Sequence, residues 1–281
     1  MPTAHIALLT DFGSQDTYVG VVKGVIARLA PEAGLIDITH EVPPGDIRRG
    51  AFYLWQSVPY FPEGTIFLAV IDPGVGTHRR SLAAAWPRFS CLAPDNGLLT
   101  YLLAQQPPSA VHALTSPERR LPTVSATFHG RDVFAPAAAH LARGEAIQRL
   151  GPPVTDPVRF PLPLLEALEG PELRGEVLHA DRFGNWITSL GCLRQEAADL
   201  VFEPWLPGCA SMRLPRTGLA LRLPDGSLLP LRTTFEEAAA GAPLAYIGSS
   251  GLIEIAVNRG RASDLLPHLT GQPVHLVPTQ G

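Results

Sequence analysis

Lysine is almost missing from this chain. Lys23 is the only one among 281 residues, so nearly all positive charge is arginine. Charge of either sign is sparse, at 17% of residues, and 22 basic against 26 acidic side chains leave a formal −4. Such a balance offers no electrostatic footprint for nucleic acid or an anionic membrane, and neither is expected as a partner. Cysteine is scarce and odd in number: Cys91, Cys192 and Cys209, with no CxxC pair. Neither a disulfide framework nor a thiolate zinc site is implied, and a reducing cytoplasm is the expected location. No apolar run approaches the roughly 20 residues of a membrane helix. The opening MPTAHIALLT has no basic segment leading into an apolar one, so no secretory leader is expected. What is plentiful is hydrophobic surface, at 46%, with 29 prolines and 26 glycines. This composition builds a large globular core and excludes disordered, collagen-like and coiled-coil classes.

The first half alternates strand-like and helix-like runs. Strands are expected over 5–9, 35–38, 65–71, 81–86, 90–93 and 110–114. Helices are expected over 18–29, over 47–57 with Asp46 as N-cap, from 98 to 103, and over 131–141. Alternation of this kind implies a mostly parallel sheet flanked by helices. From 151 to 171 the chain carries prolines at 152, 153, 157, 161, 163 and 171, with one short helix expected near 164–168. Beyond 175, short apolar runs separated by turn residues, with a hairpin signal at Asp225-Gly226, imply a small all-β barrel. The expected organisation is α/β: an N-terminal domain over 1–160, a Pro-rich linker over 161–174 and a C-terminal β-barrel domain over 175–281.

In an open α/β sheet, ligands bind beyond the carboxyl ends of the strands. Asp11 follows the first expected strand, Asp72 the third and Asp95 the fifth, while His129 precedes a helix. Each has a bland alternative. Asp11 and Asp16 can close a turn and cap a helix, Asp72-Pro73-Gly74 and Asp95-Asn96-Gly97 are ordinary turn strings, Asp132 can serve a helix dipole, and Arg79 can be solvated. Gly74-Val75-Gly76 lacks the Lys-Ser/Thr of a phosphate loop, and Asp11-Phe12-Gly13 lacks the other signatures of a kinase. Asp11, Asp16, His40, Asp72 and His129 could ligate a divalent ion, although no His-x-His or His-Glu-x-x-His string supports it.

Five strings taken in order carry a resemblance: Thr10-Asp11-Phe12-Gly13, Asp72-Pro73-Gly74-Val75-Gly76, Ala93-Pro94-Asp95-Asn96-Gly97-Leu98-Leu99, Thr127-Phe128-His129-Gly130-Arg131-Asp132 and Asp181-Arg182-Phe183-Gly184-Asn185. The chain resembles the S-adenosylmethionine hydroxide adenosyltransferases, relatives of the fluorinating and chlorinating adenosyl enzymes. The resemblance runs on to Ser249-Ser250-Gly251 and Glu254-Ile255-Ala256-Val257-Asn258. It implies a homotrimer and hydrolysis of S-adenosyl-L-methionine to adenosine and L-methionine, without metal or separate cofactor. A sulfonium is already an activated leaving group, so the enzyme's task is to place a water in line with the C5′–S bond and exclude the rest.

The resemblance places the water-handling groups on Asp72, Arg79 and His129. Arginine cannot act as the base, which leaves Asp72 or His129 to guide the proton. It places the ribose hydroxyls on Asp11, the methionine ammonium on Asp16, the methionine carboxylate on Ser249 and Ser250, and the adenine on Phe183 and Asn185, with Asp181 and Glu254 in the same pocket. The halogenating relatives carry Ser at the position of Gly130 and an aromatic at that of Asp72. An acid there repels halide, which favours the hydrolytic branch. A halide adenosyltransferase and a non-catalytic S-adenosylmethionine or adenosine binder are the alternatives.

Overall fold

The computed structural model describes residues 4–197 and 199–279. Its Cα positions divide into two units that meet in sequence at Phe160 and Pro161. The first contains β1 (His5–Thr10), α1 (Tyr18–Leu29), β2 (Gly34–Thr39), α2 (Ile47–Ser57), β3 (Thr65–Val70), β4 (Ser81–Ala85), β5 (Phe89–Pro94), α3 (Thr100–Gln105), β6 (Ala110–Ala113) and α4 (Ala135–Ala142). One sheet runs in the order β2-β1-β3-β5-β4-β6. All its strands point one way except β4, which is antiparallel to both neighbours. β3 is buried along its whole length, as a strand covered on both faces must be. Asp46 caps α2 by accepting the Arg49 N–H at 3.0 Å.

The reversal of β4 shapes the edge where ligands bind. Ser81 at its start pairs with Pro94 at the end of β5. The residues entering β4, Arg79 and Arg80, therefore reach the same edge as Asp11, Asp72 and Asp95, which leave parallel strands.

The expected helix over 131–141 is not regular. Gly130–Phe134 forms a π-helical turn that runs into α4. Pro136 has no N–H to return to the Asp132 carbonyl, and that carbonyl accepts the Leu121 N–H at 2.9 Å instead. Such turns are often found at functional sites, and this one directly follows His129. Ala135, Ala137, Ala138 and Ala139 are small enough to bring α4 close onto the core of Ile6, Leu8, Val22, Ile26 and Leu68.

The second unit contains β7 (Leu165–Ala167), β8 (Leu173–Ala180), β9 (Trp186–Thr188), β10 (Leu193–Glu196), β11 (Asp199–Phe202), β12 (Met212–Pro215), β13 (Leu219–Arg222), β14 (Leu228–Arg232), β15 (Pro243–Ile247), β16 (Ile253–Val257), α5 (Ala262–Leu265) and β17 (Pro273–Pro278). The order β17-β13-β14-β15-β16-β9-β8 closes into a barrel through pairing of β17 with β8. β8 alternates buried and half-buried residues, the pattern of a barrel wall. The β13–β14 hairpin turns at Asp225-Gly226, where Gly226 has φ +85° and Asp225 accepts the Ser227 N–H at 2.9 Å. The expected helix near 164–168 is instead the strand β7, paired antiparallel with β8, which takes up its backbone groups. β10 and β11 form a separate sheet with β12, and the polar run Arg194-Gln195-Glu196 gave no sequence signal for a strand.

Candidate active site

In the first unit, Asp72, Arg79 and His129 form one hydrogen-bonded network. Arg79 Nε donates to Asp72 Oδ1 at 2.8 Å, and Arg79 Nη2 donates to Asp72 Oδ2. The Arg79 and Asp72 side chains are only 9% and 5% exposed, so this is a buried bidentate pair rather than a solvated contact. Nη1 is held by Ser81 Oγ at 2.6 Å and Nη2 also reaches His129 Nδ1 at 2.8 Å. Every guanidinium nitrogen thus has a partner.

This arrangement fixes the state of His129. Arginine only donates, so Nδ1 of His129 accepts and its proton resides on Nε2. Burial pushes the His129 pKa below its ordinary value, and the nearby Arg79 charge pushes the same way, against a smaller opposing pull from Asp72. The ring is neutral at neutral pH, with Nε2–H as its unused donor.

Asp11 lies at the end of β1 and accepts the Gly45 N–H at 2.9 Å. Gly45 has φ +75° and backs onto Pro73, the residue after Asp72. Burial raises the Asp11 pKa; the Gly45 bond opposes the rise and the Asp72 charge adds to it. Asp11 is therefore electrostatically coupled to the Asp72 network. Asp16 is not part of it. It lies in a groove of about 580 Å³ with Ser14, Lys23, Asp37 and His40. The N-cap of α1 is Thr17, without a side-chain cap bond.

Behind the network, Phe12, Tyr18 and Phe128 form an aromatic triangle with centroids 5.2–6.2 Å apart. Gly130 sits against it: a Cβ there would lie 3.1 Å from the Phe12 ring. Asp132 does more than answer a helix dipole. Fully buried, it accepts the Ser125 N–H at 2.8 Å and pairs with Arg131, which tightens the loop before His129. Arg80 binds Asp95 at 2.6 Å and Asp156 at 2.7 Å, a separate structural pair.

The second unit gathers Asp181, Asn185 and Glu254. Asp181 Oδ1 accepts the Asn185 N–H at 2.8 Å and closes the turn whose third residue after it, Gly184, has φ +86°. Asn185 Nδ2 lies 3.3 Å from Asp181 Oδ2 and 3.4 Å from the Tyr246 hydroxyl, which donates to Glu254. Burial raises the Glu254 pKa, and the Tyr246 bond counteracts it. Tyr246 itself is pushed well above the usual phenol range by burial and by Glu254. Tyr246 was not among the sequence candidates; the signal for it is the β15–β16 register, which sets Tyr246 opposite Glu254. Phe183, in the same turn, is 73% exposed. Ser249 and Ser250 occupy the tight turn between β15 and β16, closed by the Gly251 N–H to the Gly248 carbonyl at 2.9 Å.

The metal donors weighed from sequence do not converge. Among the described residues, no three His, Cys, Asp or Glu side chains form a cage, and both ring nitrogens of His40 face Thr10 and Asp37. Among the described residues no helix is long and apolar enough to cross a membrane.

Residues 6–151 match the SAM hydroxide adenosyltransferase N-terminal domain, and residues 175–275 match its C-terminal domain. The chain belongs to the SAM hydroxide adenosyltransferase family. It is 46% identical to an (R)-S-adenosyl-L-methionine hydrolase of Thermus thermophilus, over 97% of this chain and 99% of that one. A hydrolase of the same name from Salinispora arenicola is 42% identical, with 98% of each covered. A fluorinase of an Actinoplanes species is more distant, at 29% identity over 90% of each. Among solved structures, an uncharacterized conserved protein of Thermotoga maritima superposes with a TM-score of 0.82 at 32% identity, covering 97% of this chain and all of that one.

Proposed function

We propose that the protein is a cytoplasmic, homotrimeric S-adenosyl-L-methionine hydrolase, which needs neither metal nor separate cofactor and releases adenosine and L-methionine. The observation that carries this reading is the buried Asp72–Arg79–His129 network beside Asp11. Asp72 is the proton acceptor for the attacking water: it keeps free lone pairs beyond those used by Arg79. Neutral His129 offers Nε2–H to orient that water, since its Nδ1 is occupied. Arg79 clamps both partners and supplies positive charge to the developing hydroxide. Two neighbouring carboxylates, Asp11 and Asp72, favour a sulfonium over a neutral thioether. The new bond is O–C5′, the broken bond C5′–S; the electron pair leaves with sulfur as neutral methionine, and the water's second proton goes to Asp72.

Asp11 takes the ribose hydroxyls and Asp16 the methionine ammonium. Asn185 and Phe183 take the adenine, with Tyr246, Glu254 and Asp181 holding Asn185 in place. Ser249 and Ser250 take the methionine carboxylate. Halide use is disfavoured because Asp72, Ser81 and His129 occupy the Arg79 guanidinium, leaving no free cationic donor for a bare anion.

The test is chromatography of the purified protein incubated with S-adenosylmethionine, with and without chloride and with a chelator. Adenosine and methionine in equal amounts, indifferent to both additions, are expected. A 5′-chloronucleoside, loss of activity to the chelator, or bound ligand without product would each overturn the corresponding part of the proposal. Sedimentation of the active species checks the trimer.

A further inference from the structure

His40 stands just past β2 and is drawn into the turn that carries Asp11. Its carbonyl accepts the Gly13 N–H at 2.8 Å. Its Nδ1 lies 2.8 Å from Thr10 Oγ1, and its Nε2 lies 3.1 Å from Asp37 Oδ1 on a bent approach. Asp37 Oδ2 takes Lys23 Nζ at 2.6 Å. Thr10 Oγ1 in turn accepts the Phe12 N–H at 3.3 Å. Thr10 and the His40 side chain are 2% and 9% exposed.

These contacts run in sequence from Lys23 to Phe12. Burial alone would raise the Asp37 pKa, but bonds from Lys23 and His40 hold it below its ordinary value, so it is ionised and only accepts. His40 turns Nε2 toward Asp37 and Nδ1 toward Thr10. Thr10 Oγ1 shares a hydrogen bond with Nδ1 of His40 and accepts the Phe12 N–H. A second strap runs alongside it, Ser14 Oγ donating to Glu41 Oε1 at 2.7 Å. Thr10, Phe12, Gly13 and Ser14 all belong to the turn around Asp11, yet none of these bonds involves the Asp11 carboxylate.

We propose that His40 is a positioning residue: through Thr10 and Gly13 it fixes the turn that carries Asp11, and so sets the site's affinity for a ribose diol. The choice of ligand rests on the function proposed above. Asp11 approaches the ligand from a turn rather than a strand, so its carboxylate is only as well placed as that turn is rigid. A network that acts as a unit must also respond as a unit when cut.

The experiment measures adenosine binding by calorimetry and steady-state hydrolysis of S-adenosylmethionine, on the full chain and on His40→Phe, Thr10→Val, Thr10→Ser and the Thr10→Val/His40→Phe double variant. Asp37→Asn replaces His40→Phe if the latter does not fold. His40→Phe and Thr10→Val each raise the adenosine Kd and the KM about tenfold, with kcat changed less than about threefold, the scale of one lost buried hydrogen bond. Thr10→Ser recovers most of the affinity lost in Thr10→Val, and the double variant is no worse than the weaker single. An unchanged Kd in His40→Phe, single effects that multiply in the double variant, or a fall confined to kcat would overturn the proposal. So would a wild-type protein without affinity for adenosine. A wild-type protein that binds adenosine but releases no product defeats the hydrolase reading alone, because the binding series still decides the role of His40.

Discussion

The two units hold their candidate site side chains in opposite states. In the N-terminal unit, Asp72, Arg79 and His129 are buried and bonded to one another, and the guanidinium has no nitrogen to spare. In the C-terminal unit, Asn185 and Glu254 are tied into a polar cluster, but Phe183 beside them stands in solvent. The first arrangement is pre-organised for charge development, where reorganisation at the moment of reaction would be expensive. The second presents an aromatic face and an amide that gain their full value only against a flat ligand. In the proposed function the reacting groups and the ribose and ammonium contacts belong to the first unit, and the adenine and carboxylate contacts to the second.

Separating rate from affinity is the sharpest way to break this comparison. The largest effect is expected from Asp72→Asn: kcat falls by about 10²–10⁴-fold while adenosine binding stays within a few-fold. Rapid-quench product analysis beside calorimetry reads both, and a lost affinity with preserved kcat would reverse the assignment of the units. Next in size, Phe183→Ala weakens adenosine by about 1–3 kcal/mol, the range of one base stacked on one ring. Its melting temperature is unchanged, because an exposed ring carries little of the fold.

The Tyr246→Phe change is smaller, about 1 kcal/mol in adenosine affinity, the scale of one hydrogen bond lost in positioning Asn185. A drop in kcat at saturating substrate would move Tyr246 into the chemistry. The smallest effect is in the pH profile. His129 has a depressed pKa, so between its folded value and the ordinary 6.5 the unfolded chain binds more protons. Stability therefore declines as pH falls through that window, and is unaffected above it. Protonated Nδ1 would also face an Arg79 donor, so kcat declines over the same window. His129→Asn removes that limb from both the denaturation and the rate profiles. A limb that survives the substitution assigns it to another group, with Asp11, raised by burial, the first to examine.

Much of the N-terminal site was legible in the sequence because its acids follow strand-like runs, and the carboxyl edge of a parallel sheet is where ligands go. Arg79 was harder. Nothing local shows that β4 runs backwards, yet this reversal alone brings Arg79, two residues before Ser81, to that edge. The resemblance supplied Arg79; the sheet explains it. The barrel was legible from its short apolar runs and its Asp225-Gly226 hairpin. β7, β10 and β11 were not, since strands of three or four residues are defined by their pairing and not by their own pattern. Tyr246 was hidden for the same reason, as one ring in an apolar run until the register with Glu254 is known. The π-helical turn after His129 follows from Pro136, a signal present in the sequence, but its consequence depends on Leu121 arriving to take the released carbonyl.

The central claim is that a water held by Asp72, Arg79 and His129 attacks C5′. Hydrolysis of S-adenosylmethionine in ¹⁸O-enriched water, followed by mass spectrometry of both products, tests it directly. The account predicts one ¹⁸O atom per adenosine, on the 5′ carbon, and none in methionine. Label in the amino-acid product, or unlabelled adenosine, would contradict it.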